Sequence, residues 1–266
     1  MDRRSFVQNA GAAVLSAFPS GVMRKENSAE ARPGKVLAIA AHPGDGMFTM
    51  GAALGQQIER GGAGVLLSLS AGERGAPHDM SVQQYGDMQR AATQKAAHLL
   101  GAKAILLEYP DAEIPFNEES SLRVSDIIRD EKPETVITHW SGSWHKDHQT
   151  CHLIVRDAIF YAALATLERS RPAHSVSKVF YAENWEDAAN FIPDTYINIE
   201  AVYERWIQAC DFYPMWRGQT GFFRYNDYYS SLAIARGCLA GFKHATALMS
   251  EPTQRNERLQ VLWHLL

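Results

Sequence analysis

With 266 residues, 46% of them hydrophobic and 21% charged, the chain is long enough for one large α/β domain with a substantial core. A net charge of −4 lacks the basic excess that nucleic-acid binding requires, so small molecules are the expected partners.

The first residues differ from the rest. Arg3 and Arg4 precede Ser5, Phe6, Val7 and Gln8 and then a short, mildly apolar stretch, the pattern of a twin-arginine export signal. That stretch is too short to cross a bilayer, and Ala29-Glu30-Ala31 offers a small-x-small cleavage site. The expected organisation is therefore an export signal over 1–31 and one α/β domain over 32–266, working in the periplasm or outside the cell without a transmembrane anchor.

After Pro33, apolar runs alternate with helix-like segments, which is the signature of βαβ units and a parallel sheet. The runs KVLAIAA, GVLLSLS, AILLEY and ETVITHW are rich in Val, Ile and Leu with little alternation, as expected of strands covered on both faces. Helices are predicted at about 47 to 60, 81 to 100 and 118 to 131, the second closed by Gly101 and the third by Pro133. A fourth starts near His148 and runs toward Arg169. KVFYAE and YINIE supply further strands, followed by helices at about 201 to 213 and 226 to 248. Right-handed crossovers wind such a chain into a Rossmann-like three-layer sandwich, mainly parallel, of strand order 3-2-1-4-5, with an additional C-terminal strand and helices.

In that order strands 1 and 4 are neighbours, and ligands bind beyond their carboxyl ends, where the winding reverses. The segments there are HPGDG and SGSWHKDH. His42, Asp45 and His148 then form the natural trio for Zn²⁺ or another divalent first-row metal, leaving a coordination position for water. A second candidate set is His145, His148 and His152, which share one helix face if the helix starts early. Asp147 is placed to cap the helix start or to orient an imidazole, and His145 with Asp147 is the best available pair for proton handling. Cys151, Cys210 and Cys238 have no metal-ligand spacing and read as structural.

His42-Pro43-x-Asp45, Gly72-Glu73-x-Gly75, Tyr109-Pro110-Asp111 and His145-x-Asp147-His148, each after its strand, resemble the PIG-L / LmbE-like deacetylase family, and the similarity continues into Arg236-Gly237 and Gly241. The resemblance implies a zinc-dependent hydrolase that removes acyl groups, usually acetyl, from amino sugars or related conjugates. It places His42, Asp45 and His148 as metal ligands and His145 as the group that stabilises the oxyanion. It also places Arg90 and Asp111 against substrate hydroxyls or phosphate, with Glu73 on the same rim.

The family's His-Pro-Asp-Asp-Glu loop is altered in this chain. Gly44 stands where the general base is expected and Gly46 where the glutamate is expected, while Thr93 and Thr246 occupy two further acidic positions. Loss of positioned acid–base help typically costs about 10²- to 10⁴-fold, which is severe for an amide. The alternative to a hydrolase is a metal-dependent protein that binds a sugar or carboxylate, or an enzyme acting on a different sugar linkage.

Overall fold

The computed structural model describes residues 33–254 apart from 188 and 220, so the expected export signal lies outside the described residues. Seven strands form one sheet of order β3-β2-β1-β4-β5-β7-β6. β1 (Lys35–Ala40) pairs in parallel with β2 (Ala63–Ser68) on one side and with β4 (Thr135–Thr138) on the other. β3 (Lys103–Leu106) extends the sheet beyond β2, and β5 (Lys178–Ala182) extends it beyond β4, both in parallel. The predicted 3-2-1-4-5 winding is present, and β6 (Thr195–Asn198) and β7 (Ala245–Ser250) add an antiparallel edge to it.

β1 is buried along almost its whole length because its alternate residues serve two cores. Val36, Ala38 and Ala40 face one apolar cluster, while Leu37, Ile39 and Ala41 face the other. The first cluster takes in α2 (Gly51–Glu59), α3 (Val82–Leu100), α6 (Tyr203–Cys210) and α7 (Tyr225–Ala240). The second takes in α4 (Glu118–Glu131) and α5 (Lys146–Ala163). α3 starts at a capping box in which Ser81 and Gln84 satisfy each other's backbone N–H groups, and α4 starts at the same device built from Asn117 and Ser120.

Two expectations are corrected. The helix expected over 226 to 248 ends at Ala240, because Gly241 takes a left-handed φ of 75° that closes it. The following ATALMS run becomes β7 between β5 and β6. The segment after β1 is also not a loop. A three-residue α1 (Pro43–Asp45) begins immediately after His42 and passes through a π-turn at Gly46–Met50 into α2. Thr49 braces that turn by donating its hydroxyl to the Asp45 carbonyl at 2.7 Å.

Candidate metal centre

His42 is the last residue before α1 and Asp45 sits in its first turn, so β1 delivers both side chains to the carboxyl end of the sheet. β4 ends at Thr138, and the segment from His139 to His145 leads into α5, where His148 lies in the first turn. The two strands are adjacent, and the side chains meet as the topology predicts. Asp45 Oδ2 lies 3.1 Å from His42 Nδ1 and 3.2 Å from His148 Nε2. Its other oxygen accepts a hydrogen bond from Asn184 Nδ2 at 3.0 Å, and the Tyr229 hydroxyl donates to Asn184 Oδ1 at 3.4 Å.

The opposite nitrogen of His42 faces two more carboxylates: Nε2 lies 3.0 Å from Asp111 Oδ1 and 3.3 Å from Asp147 Oδ2. Asp147 is fully buried and also accepts from the Ala112 backbone N–H at 2.7 Å, which holds it behind the imidazole rather than on an open surface. His148 Nδ1 has Ser143 Oγ at 3.2 Å and Glu186 Oε2 at 3.4 Å. His139, His145 and His148 form a stack around this point, with centroids 4.0 Å apart for the 139/148 pair and 4.5 Å for the 145/148 pair. The Asp147 backbone N–H donates to His145 Nδ1, so the neutral His145 ring carries its proton on Nε2.

These groups open on a cavity of about 440 Å³ lined by His42, Asp45, Asp111, His145, His148 and Glu186, and by aromatic walls that include Tyr85, Trp185 and Tyr225. Among the described residues, three groupings bring potential ligand atoms together: His42 with His145 and His148, His42 with Asp111 and Asp147, and Asp45 with His148 and Glu186. All three contain His42 or His148, and the expected trio of His42, Asp45 and His148 is divided between them. Two imidazoles converging on one partly buried carboxylate oxygen suit a divalent cation of the zinc type, so the donor set fits the expected group.

A model of the PIG-L family, described as GlcNAc-PI de-N-acetylase, matches residues 37–159, from β1 to α5. Over those residues the chain is similar to a PIG-L domain. It is 24% identical over 212 residues to a 4-oxalmesaconate hydratase of Pseudomonas putida KT2440, covering 77% of this chain and 80% of that protein. Its fold is similar to that of the 4-carboxy-2-hydroxymuconate hydratase GalB from P. putida KT2440, with a TM-score of 0.77 and 22% identity over 85% of this chain and 99% of the other. It is also similar to the N,N′-diacetylchitobiose deacetylase of Pyrococcus horikoshii, with a TM-score of 0.70 and 18% identity over 100% of this chain and 98% of the other. These relatives are enzymes, both hydratases and deacetylases.

Packing bears on the two glycines that stand in place of acids. A Cβ on Gly44 would lie 3.0 Å from Met215 Sδ and 3.3 Å from Phe48 Cε2. One on Gly46 would lie 2.8 Å from Leu66 Cδ1 and 3.1 Å from the Ala40 Cβ. The space next to the expected base position is filled by a thioether.

The electrostatics follow from this crowding of acids and imidazoles. Burial opposes a charge on His42, but hydrogen bonds to Asp111, Asp147 and Asp45 outweigh it and hold the metal-free imidazole well above its ordinary value. Burial likewise opposes the charge on Asp45, and His148 and His42 overcome it, leaving the carboxyl well below the usual range. His145 is pushed down to about 4 by burial and then by His148. Glu186 is pushed up to about 7, by burial first and then by the Asp45 charge.

The remaining predicted residues separate. Glu73 is not among the cavity-lining residues; its Oε1 accepts the Asp111 backbone N–H at 2.8 Å and so positions Asp111. Arg90 is also not among them: its partner is Asp87 on the same helix at 4.0 Å, and Gln89 takes the place on the wall. His152 hydrogen-bonds the His139 carbonyl and packs beside Trp140 and Tyr181, so the set of His145, His148 and His152 is not assembled.

Sequence reasoning missed His139, Asn184 and Glu186. For His139 a signal existed, since it follows β4 as His42 nearly follows β1; its Nε2 accepts the Ala41 backbone N–H at 3.1 Å and ties the two strand ends together. Asn184 and Glu186 lie in the irregular segment after β5, where spacing does not tell which side chain faces the site.

Proposed function

We propose that this protein is a metal-dependent hydrolase that removes an acyl group from a sugar or glycoconjugate, with His42, Asp45 and His148 holding the metal. The observation that carries the reading is the Asp45 carboxylate between the two imidazoles, on the floor of an aromatic-walled cavity. A bound divalent ion supplies Lewis acidity, polarising a carbonyl and acidifying water. His145 lines the cavity beside these ligands, and its Nε2–H is the donor available to a developing oxyanion. Asp147 and Asp111 act through His42, whose ring they orient from behind. Aromatic faces pack well on sugar rings, and Tyr85, Trp185 and Tyr225 provide them.

The hydratase activity of the Pseudomonas relative fits the cavity less well. A carboxylated muconate is multiply anionic, whereas among the described residues the wall carries a single Lys or Arg, Arg74, which is paired with Glu113 at 3.0 Å. A second reading, metal-dependent ligand binding without turnover, is favoured by the thioether that occupies the space beside Gly44. The proposal includes export by the twin-arginine route, supported by Arg3 and Arg4, and fractionation of cells expressing the full chain tests it.

The test is metal analysis of the purified protein, combined with acetate release from a panel of N-acetyl and O-acetyl sugars after loading with zinc and other divalent metals. Activity and metal content are both lost in His148→Ala. No acetate release with any metal refutes the hydrolase, and retained metal with ligand-induced thermal stabilisation then supports the binding protein.

A further inference from the structure

Asp45 is held at both ends. Its backbone carbonyl accepts the Thr49 hydroxyl at 2.7 Å, and its side chain divides its two oxygens between different partners. Oδ2 faces His42 Nδ1 at 3.1 Å and His148 Nε2 at 3.2 Å, while Oδ1 accepts from Asn184 Nδ2 at 3.0 Å. The terminal torsion of an aspartate is broad, so nothing within Asp45 itself fixes which oxygen faces the imidazoles. The amide of Asn184 does.

Asn184 is in turn locked. It is only 4% exposed. Its backbone N–H donates to Asp187 Oδ2 at 3.1 Å and the Asp187 N–H returns to its carbonyl at 3.0 Å, closing a turn after β5. Its side-chain oxygen accepts from the Glu186 backbone N–H at 3.2 Å and from the Tyr229 hydroxyl of α7 at 3.4 Å. A backbone N–H only donates and a carboxylate only accepts, so the amide must turn its oxygen to Glu186 and its NH₂ to Asp45. An aspartate there would set a second anion against Asp45, and an apolar residue would strip both neighbours of a buried partner.

We propose that Asn184 is a positioning residue that keeps Asp45 a one-oxygen ligand, and so matches the centre to a small ion with about four ligands rather than to a larger one with about six or more. The inference rests on the reading that His42, Asp45 and His148 hold the metal. Two imidazole nitrogens and one carboxylate oxygen leave an ion of the zinc type a position for water or substrate. Were Asp45 to turn, its second oxygen would take that position. Asn184 thus acts through Asp45, from the segment after β5, on how many places the ion keeps open.

The test loads metal-free protein with Co²⁺, whose visible absorption is strong in a tetrahedral site and weak when further ligands are added. The variants are Asn184→Ala and Asn184→Asp; the second keeps the size of the side chain and an acceptor for Glu186 and Tyr229, so it decides the question if the first fails to fold. The parent gives the strong tetrahedral spectrum, and both variants take up cobalt with absorption at least about twofold weaker. In competition with a chelator they also bind zinc about 10- to 100-fold more weakly. A weak spectrum in the parent overturns the proposal, and so do folded variants with the parent's spectrum. A merely structural Asn184 would give that last result, with a lowered melting temperature of the metal-free protein and cobalt absorption unchanged. A parent that takes up no cobalt, or a His148→Ala variant that keeps the parent's spectrum, refutes the ligand set itself and the proposal with it, a failure distinct from unchanged Asn184 variants.

Discussion

The substitution Gly44→Asp restores the carboxylate that the PIG-L loop usually carries, and the structure predicts that alone it fails. The new Cβ would meet Met215 Sδ at 3.0 Å and Phe48 Cε2 at 3.3 Å, both tighter than ordinary contact. Overpacking of this kind costs about 1–3 kcal/mol, and an acid in the first turn of a helix returns at most about 1 kcal/mol. A net loss of about 2 kcal/mol lowers the melting temperature of a domain this size by roughly 4–8 °C. Pairing Gly44→Asp with Met215→Ala vacates the sulfur's volume, so the double variant is more stable than the sum of the two single changes by about 1 kcal/mol or more. A positioned acid is worth about 10²- to 10⁴-fold, and the double variant gains amide hydrolysis on that scale. Thermal melts and acetate release from an N-acetyl sugar measure the two effects. A Gly44→Asp single variant as stable as the parent refutes the packing argument. A metal-replete double variant with no gain in turnover refutes the idea that the absent acid limits the reaction.

Asp147→Asn keeps an acceptor for the Ala112 backbone but removes the charge behind His42; metal affinity or turnover falls about 10- to 100-fold, and parent values for both would sink the orienting role. Glu186 has a carboxyl raised from 4.5 to about 7, so the folded metal-free protein holds a proton there that the unfolded chain releases. Stability therefore declines as pH rises from 4.5 to about 7, by about 3 kcal/mol, and the penalty is complete above that window. Glu186→Gln flattens this part of the melting-temperature profile of chelator-treated protein; an unchanged slope contradicts the assignment.

The parallel half of the fold was legible because β1 to β4 are uninterrupted apolar runs bounded by helices with readable ends, such as Ser81 and Gly101 around α3. The antiparallel edge was legible in part: YINIE reads as a strand and forms β6, whereas β7 did not read as one. ATALMS is a short apolar run without alternation, and periodicity cannot separate such a run from the continuation of a helix; its pairing with β5 and β6 is decided by tertiary contacts. The start of α1 was misplaced for a related reason. Pro43, Gly44 and Gly46 read as a turn, yet Pro suits the first helical position and the glycines are set by the neighbours Met215 and Leu66, which are distant in sequence. The convergence of His42, Asp45 and His148 could be foreseen, because strand order alone brings the two segments together.

The segment after β5 is where sequence and site part company, and its chemistry bears on how a loop without its acids remains functional. Glu183 turns away to pair with Arg236, whereas Asn184 bonds Asp45 and Glu186 approaches His148. Side chains three residues apart thus serve a structural ion pair and the centre itself. Gly44 leaves Asp45 as the one acid on α1, and Met215 Sδ sits against position 44. From the segment after β5, Glu186 lines the cavity in a setting that makes its charged form costly, by burial and by the neighbouring Asp45. The site has therefore not simply lost a carboxylate. It keeps three acids in contact with His42, of which Asp45 and Asp111 also line the cavity, and adds Glu186 from the segment after β5. A substrate held in this cavity meets Glu186 beside His148 and no acid at position 44, which favours a substrate bound in a different orientation over the same substrate handled more slowly.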